Sequence, residues 1–487
     1  MRQFFAILKD SFREAMDGFV IYLMLGLSLL TVVLVASVSY TPEPPEQALP
    51  EIVQQFAIIF PDRGRSAAPT GVGRPDFTVK DAARDADGAV RFVLAVGPAA
   101  GAGPVPAEVK ADGEKPDRPA PAAAPPGPDL FRYAVLAWKS PAGDKIKDPR
   151  ARNRGRGGNP GGNKEMEIVM PPAPGPDELR AVTDDDMAAF VKNQFVLFAG
   201  VPEADVAAAR RPGVAEPEYQ FDVSIKGVAG ARGWPHAVHV LFGAVPPIKG
   251  IPLGLGMYII QDKIVNGIGA LVTLLISVVI TAFFIPNLLR KGSVDLLISK
   301  PIGRSQLLVY KYVGGLTFIF LVTAVTVGGV WVVMSARSGF WDPSFLLVIP
   351  ALTFTFAILY AVSTLVAVLT RSAIASILIT IGFMFVMWLL GKVVKTFFDA
   401  NKVTGDVELP DWSYTLVDTL NNVLPRYTDL DKLTTKVVAD ANLPVGLSRL
   451  MGLFTEYPSW GGAVGVSLAF IAVVLGIACW RFSRRDY

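Results

Sequence analysis

A few residues have the types and the spacing that could support chemistry. His236 and His239 are the two histidines of the 487-residue chain and stand three apart, so on one helical face they could share a metal ion. Their surroundings, AVHVLF, are typical of a strand, which directs residues three apart to opposite faces. The single Cys479 excludes an intrachain disulfide and a zinc site of the usual multi-cysteine kind. We therefore interpret both histidines as ordinary surface residues.

The segment that comes nearest to a phosphate-binding loop is GGNPGGNK, at residues 157–164. It lacks the GK[ST] ending of such loops, and we expect it outside the membrane, where ATP is not available. Asp184, Asp185 and Asp186 form an acidic run, which is more typical of a solvated helix face than of an active site. We expect no catalytic, cofactor-binding or metal-binding residue and no enzymatic activity on this chain.

Six apolar runs are long enough to cross the ~30 Å hydrocarbon layer of a bilayer. None contains a charged residue, and they cover residues 19–39, 264–285, 313–334, 345–369, 373–390 and 462–480. They explain why 18% of the chain is charged, against about 25% in a soluble domain. The excess of Lys and Arg in the short loops favours cytoplasmic N- and C-termini. We expect a multi-pass protein of the bacterial cytoplasmic (inner) membrane.

Two alternatives concern the N-terminus. Residues 1–18 place apolar side chains on one helical face, which predicts a helix in the inner membrane interface, although a plain cytoplasmic extension is also possible. The first apolar run could be a cleaved signal peptide, but at about 21 residues it exceeds the usual core of about 7–15. We favour an uncleaved first span.

The absence of charge from the spans excludes several mechanisms. Ionisable residues within spans usually mark ion pathways, proton relays or membrane-embedded catalysis. Ion-coupled transporters, intramembrane proteases and lipid transferases are therefore disfavoured. The net charge of +3 is too small to indicate a nucleic-acid partner. If the protein moves a substrate, the energy must come from another chain.

The predicted fold class is an α-helical polytopic membrane protein with six transmembrane helices, an N-terminal interfacial helix and an inserted extracytoplasmic α+β domain. Its parts are the interfacial helix at 1–18, the first span at 19–40, the α+β domain at 41–255, spans two to five at 256–391, an outside segment at 392–461, and the sixth span with a basic cytoplasmic tail at 462–487.

The α+β domain holds most of the 38 Pro and 45 Gly residues of the chain. Its Pro-, Ala- and Gly-rich tracts at 97–128 and 151–164 are predicted to be disordered or loop-like. Strands are predicted at 89–96, 131–139, 166–170, 219–225 and 237–242, and a helix at 177–198. In the outside segment, Pro410, Pro425, Pro444 and Pro458 are expected to separate short helices.

The cytoplasmic loop at residues 286–312, PNLLRKGSVDLLISKPIGRSQLLVYKY, is the most informative segment. Gly292 breaks the incoming helix, Ser293 can cap a short new helix, and Pro301 and Gly303 end it. Ser305 is expected to cap the next helix. The loop therefore predicts a short amphipathic helix beneath the bundle, flanked by Lys and Arg. It could be an interfacial anchor or a docking surface for a cytoplasmic partner.

Residues 292–312 resemble, nearly position by position, the motif that permeases of the ABC type 2 transporters carry after their second span. Residues 6–18, residues 420–433 and the ending WRFSRRDY are also similar to this family. The resemblance covers about residues 1–40 and 255–487. It does not cover about residues 41–250, whose size departs from the compact members of the family.

The resemblance implies a permease subunit, an exporter, that pairs with a second copy as a homodimer and lets substrate pass between the two. A separate cytoplasmic ABC ATPase would hold ATP and Mg, with no cofactor on this chain. The loop would couple the two proteins through eight residues, which we call the coupling set: Gly292, Ser293, Asp295, Leu296, Leu297, Lys300, Pro301 and Arg304.

The size of the outside domain motivates an alternative function, a membrane-anchored sensor or scaffold that binds an envelope ligand or partner. Deleting about residues 60–240 separates the two hypotheses. Full loss of ligand binding with an unchanged ATPase partner, measured by pull-down, would favour the scaffold.

Overall fold

The computed structural model describes residues 20–56, 75–97, 129–139, 176–214, 216, 218–288, 303–404, 407, 409–454 and 457–484. The helix predicted at 1–18 and the strand predicted at 166–170 lie outside these residues, as do the tract at 151–164 and nearly all of the tract at 97–128. Within the described residues the chain is mainly helical, with two small antiparallel sheets.

The first half of the chain alternates between helices and short strands. In chain order they are α1 (Val20–Ala36), β1 (Ser39–Pro42), α2 (Pro45–Phe56), β2 (Asp76–Arg84), β3 (Val90–Gly97), α3 (Leu130–Lys139), α4 (Pro176–Arg180), α5 (Asp184–Phe198), β4 (Val206–Arg210), β5 (Tyr219–Ile225), β6 (Pro235–His239) and β7 (Ile248–Pro252).

The second half is helical. Its elements are α6 (Leu253–Val265), α7 (Ile268–Thr281), α8 (Phe284–Leu288), α9 (Arg304–Ser338), α10 (Val348–Thr370), α11 (Ala373–Trp388), a π-helical turn (Leu389–Val394), α12 (Lys395–Thr404), α13 (Asp411–Val423), α14 (Tyr427–Asn442), α15 (Val445–Phe454) and α16 (Trp460–Arg484). The breaks between α12 and α16 fall at or beside the four predicted prolines.

In the part of the chain that the structure describes, five helical stretches are long and apolar enough to cross a membrane. They are Leu253–Leu288, Arg304–Ser338, Pro343–Thr370, Ala373–Phe398 and Trp460–Arg484, and each contains one of the apolar runs predicted from the sequence. The first predicted run corresponds to the shorter apolar helix α1. The prediction of a polytopic helical membrane protein is confirmed in outline.

Helices α9 and α10 pack around a stack of aromatic rings. The rings of Tyr312 and Tyr360 stack with centroids 5.0 Å apart, and Phe356 stacks on Tyr360 at 5.5 Å. The Tyr312 hydroxyl donates to the carbonyl oxygen of Ala357 at 2.7 Å. Gly315 makes room for this stack, because a Cβ atom there would lie 2.6 Å from the Tyr360 side chain. The close contact between α9 and α10 therefore depends on the absence of a side chain at Gly315.

Residues 39–252, which we call the outer domain because they are predicted to lie outside the membrane, contain an antiparallel sheet with the strand order β2-β3-β5-β4. Helices α2, α3 and α5 pack against it around a core of aromatic side chains. Phe195 of α5 lies at its centre, with its ring centroid 5.0 Å from Phe56 and 5.5 Å from Phe92. The strand predicted at 219–225 is confirmed as β5.

The strand predicted at 131–139 is wrong, because residues 130–139 form helix α3. The buried side chains Phe131, Ala134 and Val135 follow a helical spacing and enter the core. The helix predicted at 177–198 is interrupted before Asp184. Thr183 caps α5 by accepting from the backbone N–H of Asp186 at 3.2 Å, and this capping box starts a new helix.

A second sheet, with the order β1-β6-β7, joins the outer domain to α1 and α6. Beside it, the guanidinium of Arg232 lies 3.5 Å from the carboxylate of Asp342 and 4.2 Å from the centre of the Phe340 ring. Gly254 packs backbone to backbone on α14, because a Cβ there would lie 2.2 Å from the carbonyl oxygen of Asn442. The contacts of Arg232 fix the outer domain to the bundle, and that of Gly254 joins α6 closely to α14.

The requirement for glycine at position 315 can be tested by comparing two glycine substitutions in the same helix, α9. We expect Gly315→Ala to destabilise the protein by about 1–3 kcal/mol, because the added methyl group overpacks the Tyr360 contact. At Gly328, also in α9, a Cβ would meet nothing within 4 Å. Gly328→Ala should leave stability unchanged or raise it, since alanine is the better helix former. Thermal unfolding in detergent measures both, and equal effects would contradict the packing account.

Candidate functional site

Of the coupling set, the structure describes Arg304, and the other seven residues lie outside the described part of the chain. Arg304 is the first residue of α9, and its N-cap is Gly303, in extended backbone conformation. The prediction that Ser305 caps this helix is wrong by two residues. The Ser305 hydroxyl instead lies 3.3 Å from the hydroxyl of Ser483, on the C-terminal helix α16.

The two ends of the loop at 289–302 are held in packed surroundings, which we call the loop base: Ile285, Leu288, Ser305, Leu307, Leu308 and Phe482. Leu288 and Leu307, on either side of the loop, are buried in one apolar cluster. Ile285, Leu308 and Phe482 are buried in a second. Close-packed side chains transmit displacement, so a push on the loop would reach α8, α9 and α16 together.

At the end of the bundle that faces the outer domain lies a polar cluster, which we call the outer network: Asp262, Asn266, Lys392, Asp431, Thr434 and Thr435. The Asn266 amide donates to Asp262 at 3.0 Å and to the Thr435 hydroxyl at 2.9 Å. Its carbonyl oxygen accepts from the Thr434 hydroxyl at 2.8 Å. Asn266 therefore ties the end of α6 to α14.

The carboxylate of Asp431 is largely enclosed in the outer network, with 18% of its side chain exposed. Burial raises the pKa of Asp431 to about 6; the Lys392 ammonium, 3.5 Å away, lowers it, and the charge of Asp262 raises it. Two residues earlier on α14, Asp429 is buried and lies 4.0 Å from Lys395 and 3.9 Å from Arg426. Each of these acids is therefore close to a basic group.

The outer network surrounds a break in the long apolar stretch Leu253–Leu288. Helix α6 ends at Asn266, and a Cβ at Gly267 would lie 2.5 Å from the Lys263 carbonyl oxygen, so the chain can change direction there only with glycine. Residues 268–288 beyond the break are about 31 Å long at 1.5 Å per residue, which matches the hydrocarbon layer. The polar groups therefore lie at the end of this span that follows α6.

The outer network was not predicted from the sequence. Asp262 precedes the charge-free run that begins at residue 264, and Lys392 and Asp431 fall in the segment predicted to lie outside the membrane. Asp262 and Asn266 stand four apart on one helical face, and that spacing is the local signal that was available. Their partners on α14 are about 170 residues away, so pattern alone could not identify them.

The prediction of surface histidines is wrong for His236. Its side chain is 2% exposed, and its Nδ1 lies 2.7 Å from the carbonyl oxygen of Trp234. His239 is partly exposed, with Nε2 3.2 Å from the Thr41 hydroxyl. Across the described ranges, no group of three or more His, Cys, Asp or Glu residues could hold a metal ion.

Comparison with known families adds one match. The model of the family described as "ABC-2 family transporter protein" matches residues 132–487, more than two thirds of the chain. The match includes the loop at 289–302, the loop base, the outer network and the five long apolar stretches. No curated protein sequence matches the chain.

The burial of Asp431 predicts a distinctive pH dependence. Its pKa rises from 3.8 in the unfolded chain to about 6 in the folded protein, so between these values the folded protein keeps a proton that the unfolded chain releases. The contribution of Asp431 to the free energy of unfolding therefore falls as pH rises from about 4 to about 6. The difference in stability between wild type and Asp431→Asn should follow this fall, then stay constant above pH 6.

Chemical unfolding in detergent across this pH range measures the difference. Asp440→Asn removes an exposed carboxylate from the same helix and serves as the matched control. If both variants show the same pH profile relative to wild type, the buried environment assigned to Asp431 is wrong.

Proposed function

The chain belongs to the ABC-2 transporter family, and from this premise we propose that it is a six-span permease subunit that exports its substrate with energy from a separate ATPase. The resemblance of residues 292–312 to this family is confirmed by the match. Membership makes the chain a multi-pass membrane permease of an ABC transporter. Such permeases generally work with an ATP-binding partner in the membrane.

The observation that supports coupling through the loop is the loop base. Leu288 and Leu307 hold the two ends of the loop in one buried cluster, and Ser305 contacts the C-terminal helix at Ser483. A loop with fixed ends can transmit a push to several helices, whereas a loose connection would absorb it. We assign the contact with the ATPase to the coupling set, and ATP and Mg to the ATPase itself.

The proposal of six spans includes α1. One face of α1 packs on α9, where the Ser28 and Thr326 hydroxyls lie 2.6 Å apart and a Cβ at Gly329 would lie 2.7 Å from the Val32 side chain. The other face exposes Leu29 and Leu30, as a helix in contact with lipid does. With six spans both termini lie on one side of the membrane. The excess of Lys and Arg in the short loops makes that side the cytoplasm of a bacterium, so the outer domain lies outside the inner membrane.

A second copy of the chain is proposed to complete the transporter, as a homodimer with the substrate path between the two permeases. The outer network would then lie at the outer mouth of this path, since it surrounds the break that precedes residues 268–288 of the stretch Leu253–Leu288. With this geometry, substrate leaves next to the outer domain.

If the loop couples the two proteins, substitutions in the coupling set should lower ATP hydrolysis while the ATP-binding protein stays bound. Full-length protein purified in mild detergent should retain an ATP-binding protein. Asp295→Asn combined with Arg304→Ala should lower the permease-dependent ATP hydrolysis of that complex by roughly tenfold, since each removes a charge worth about 0.5–1 kcal/mol at a partly solvated contact. ATP hydrolysis by the purified complex measures the effect.

Arg371→Gly provides the control. Arg371 lies on the connection between α10 and α11, predicted to be cytoplasmic, at a φ of 56°, which glycine tolerates. The Arg371→Gly substitution removes one positive charge from another loop, so ATP hydrolysis should stay near the wild-type rate. Copurification of no ATP-binding protein, or an equal loss in both variants, would refute coupling through residues 292–304.

A further inference from the structure

The connection between β6 and β7, which we call the hairpin tip, is apolar and exposed. It comprises residues 240–247, VLFGAVPP, and contains no charged residue. The side chains of Leu241 and Phe242 are 52% and 71% exposed, and Val245 is 42% exposed. A cluster of large apolar side chains on a tight connection is unusual in water, where such tips are normally polar.

The backbone of the hairpin tip is strained at the two most exposed of these side chains. Leu241 and Phe242 have φ values of 52° and 57°, in the left-handed region that costs a residue with a Cβ roughly 1–2 kcal/mol. Hydrogen bonds from Gly243 N to Val240 O, at 3.0 Å, and from Ala244 N to Leu241 O, at 3.1 Å, close the turn. Among the described residues, Leu241 and Phe242 gain no burial in return for this strain.

The sheet register places the hairpin tip beside the end of α1. Strand β1 leaves α1 and pairs with β6, with Ser39 opposite His239 and Thr41 opposite Ala237. Strand β6 therefore runs back toward α1, and the backbone N–H of Phe242 donates to the carbonyl oxygen of Ser37 at 2.9 Å. Ser37 directly follows the last residue of α1, so the tip lies at the level where the apolar helix ends.

Neighbouring side chains mark this level as a membrane interface. Val33 and Leu34, on the last turn of α1, are 45% and 54% exposed and continue the apolar surface to the hairpin tip. The Arg337 guanidinium donates to the carbonyl oxygen of Ala36 at 2.9 Å, and the nearby Trp341 is 55% exposed. Arginine and tryptophan are typical of the headgroup level that borders a span.

We propose that the hairpin tip inserts Leu241 and Phe242 into the lipid leaflet on the side of the outer domain. The occupant of this surface is bilayer lipid, because the tip is continuous with the lipid-exposed face of α1 through the contact of Phe242 with Ser37. Insertion removes exposed apolar surface from water, and the free energy of this burial offsets the cost of the strained backbone. The tip thereby anchors the base of the outer domain at a fixed depth, whichever end of α1 is cytoplasmic.

The test measures the depth of the hairpin tip by fluorescence quenching. Full-length protein with Cys479→Ser carries one new cysteine, labelled with an environment-sensitive nitrobenzoxadiazole dye and reconstituted in phosphatidylethanolamine–phosphatidylglycerol vesicles. Ala244→Cys reports on the tip while keeping Leu241 and Phe242. Leu34→Cys, on the exposed face of α1, is the lipid control. Ala86→Cys, exposed on the connection between β2 and β3, is the water control.

A nitroxide attached near the lipid carbonyl should quench the dye at Ala244 as strongly as at Leu34 and leave Ala86 unquenched. Adding Leu241→Ser and Phe242→Ser should abolish nitroxide quenching of the dye at Ala244 and expose that dye to aqueous iodide. The dye at Leu34 should remain quenched by the nitroxide, which would show that the span is intact. Iodide quenching at Ala244 before these substitutions would overturn the proposal. Protection from both quenchers would also overturn it, since the tip would then be covered by protein.

Discussion

The hydrocarbon layer excludes ionised side chains, and the architecture of this protein follows from that constraint. An Arg, Lys or Asp at the centre of a spanning helix disfavours insertion by about 2.5–3.5 kcal/mol. The six apolar runs avoid this penalty, because none contains a charged residue. Charged groups are consequently displaced to the two ends of the bundle, Arg304 at one and the charges of the outer network at the other.

Between these ends, the bundle is suited to transmitting movement. Helix α9 runs without interruption from Arg304 to Ser338, about 52 Å at 1.5 Å per residue. At its first turn it belongs to the loop base, in its middle Gly315 accepts the ring of Tyr360, and beyond its last turn Asp342 pairs with Arg232 of the outer domain. A single rigid helix therefore links the loop to the domain on the opposite side.

The contrast between the predicted and observed features has a physical cause. The spans were predictable because hydropathy over about 20 residues is a property of the local sequence, and the family was predictable because its motif at 292–312 is contiguous. The outer network was not, because Asp262 and Thr435 meet only when α6 packs on α14. Helix α3 was mistaken for a strand because Phe131 and Val135 favour strands by residue type, while their burial follows a helical spacing.

The central claim is that energy enters this permease through the loop at residues 292–304. The most direct measurement replaces Leu297 with a photoreactive amino acid in cells, cross-links by ultraviolet light, and identifies the partner by mass spectrometry. The account predicts a covalent adduct with an ATP-binding subunit whose yield changes when ATP is depleted. An adduct confined to lipid, or the same yield with and without ATP, would contradict it.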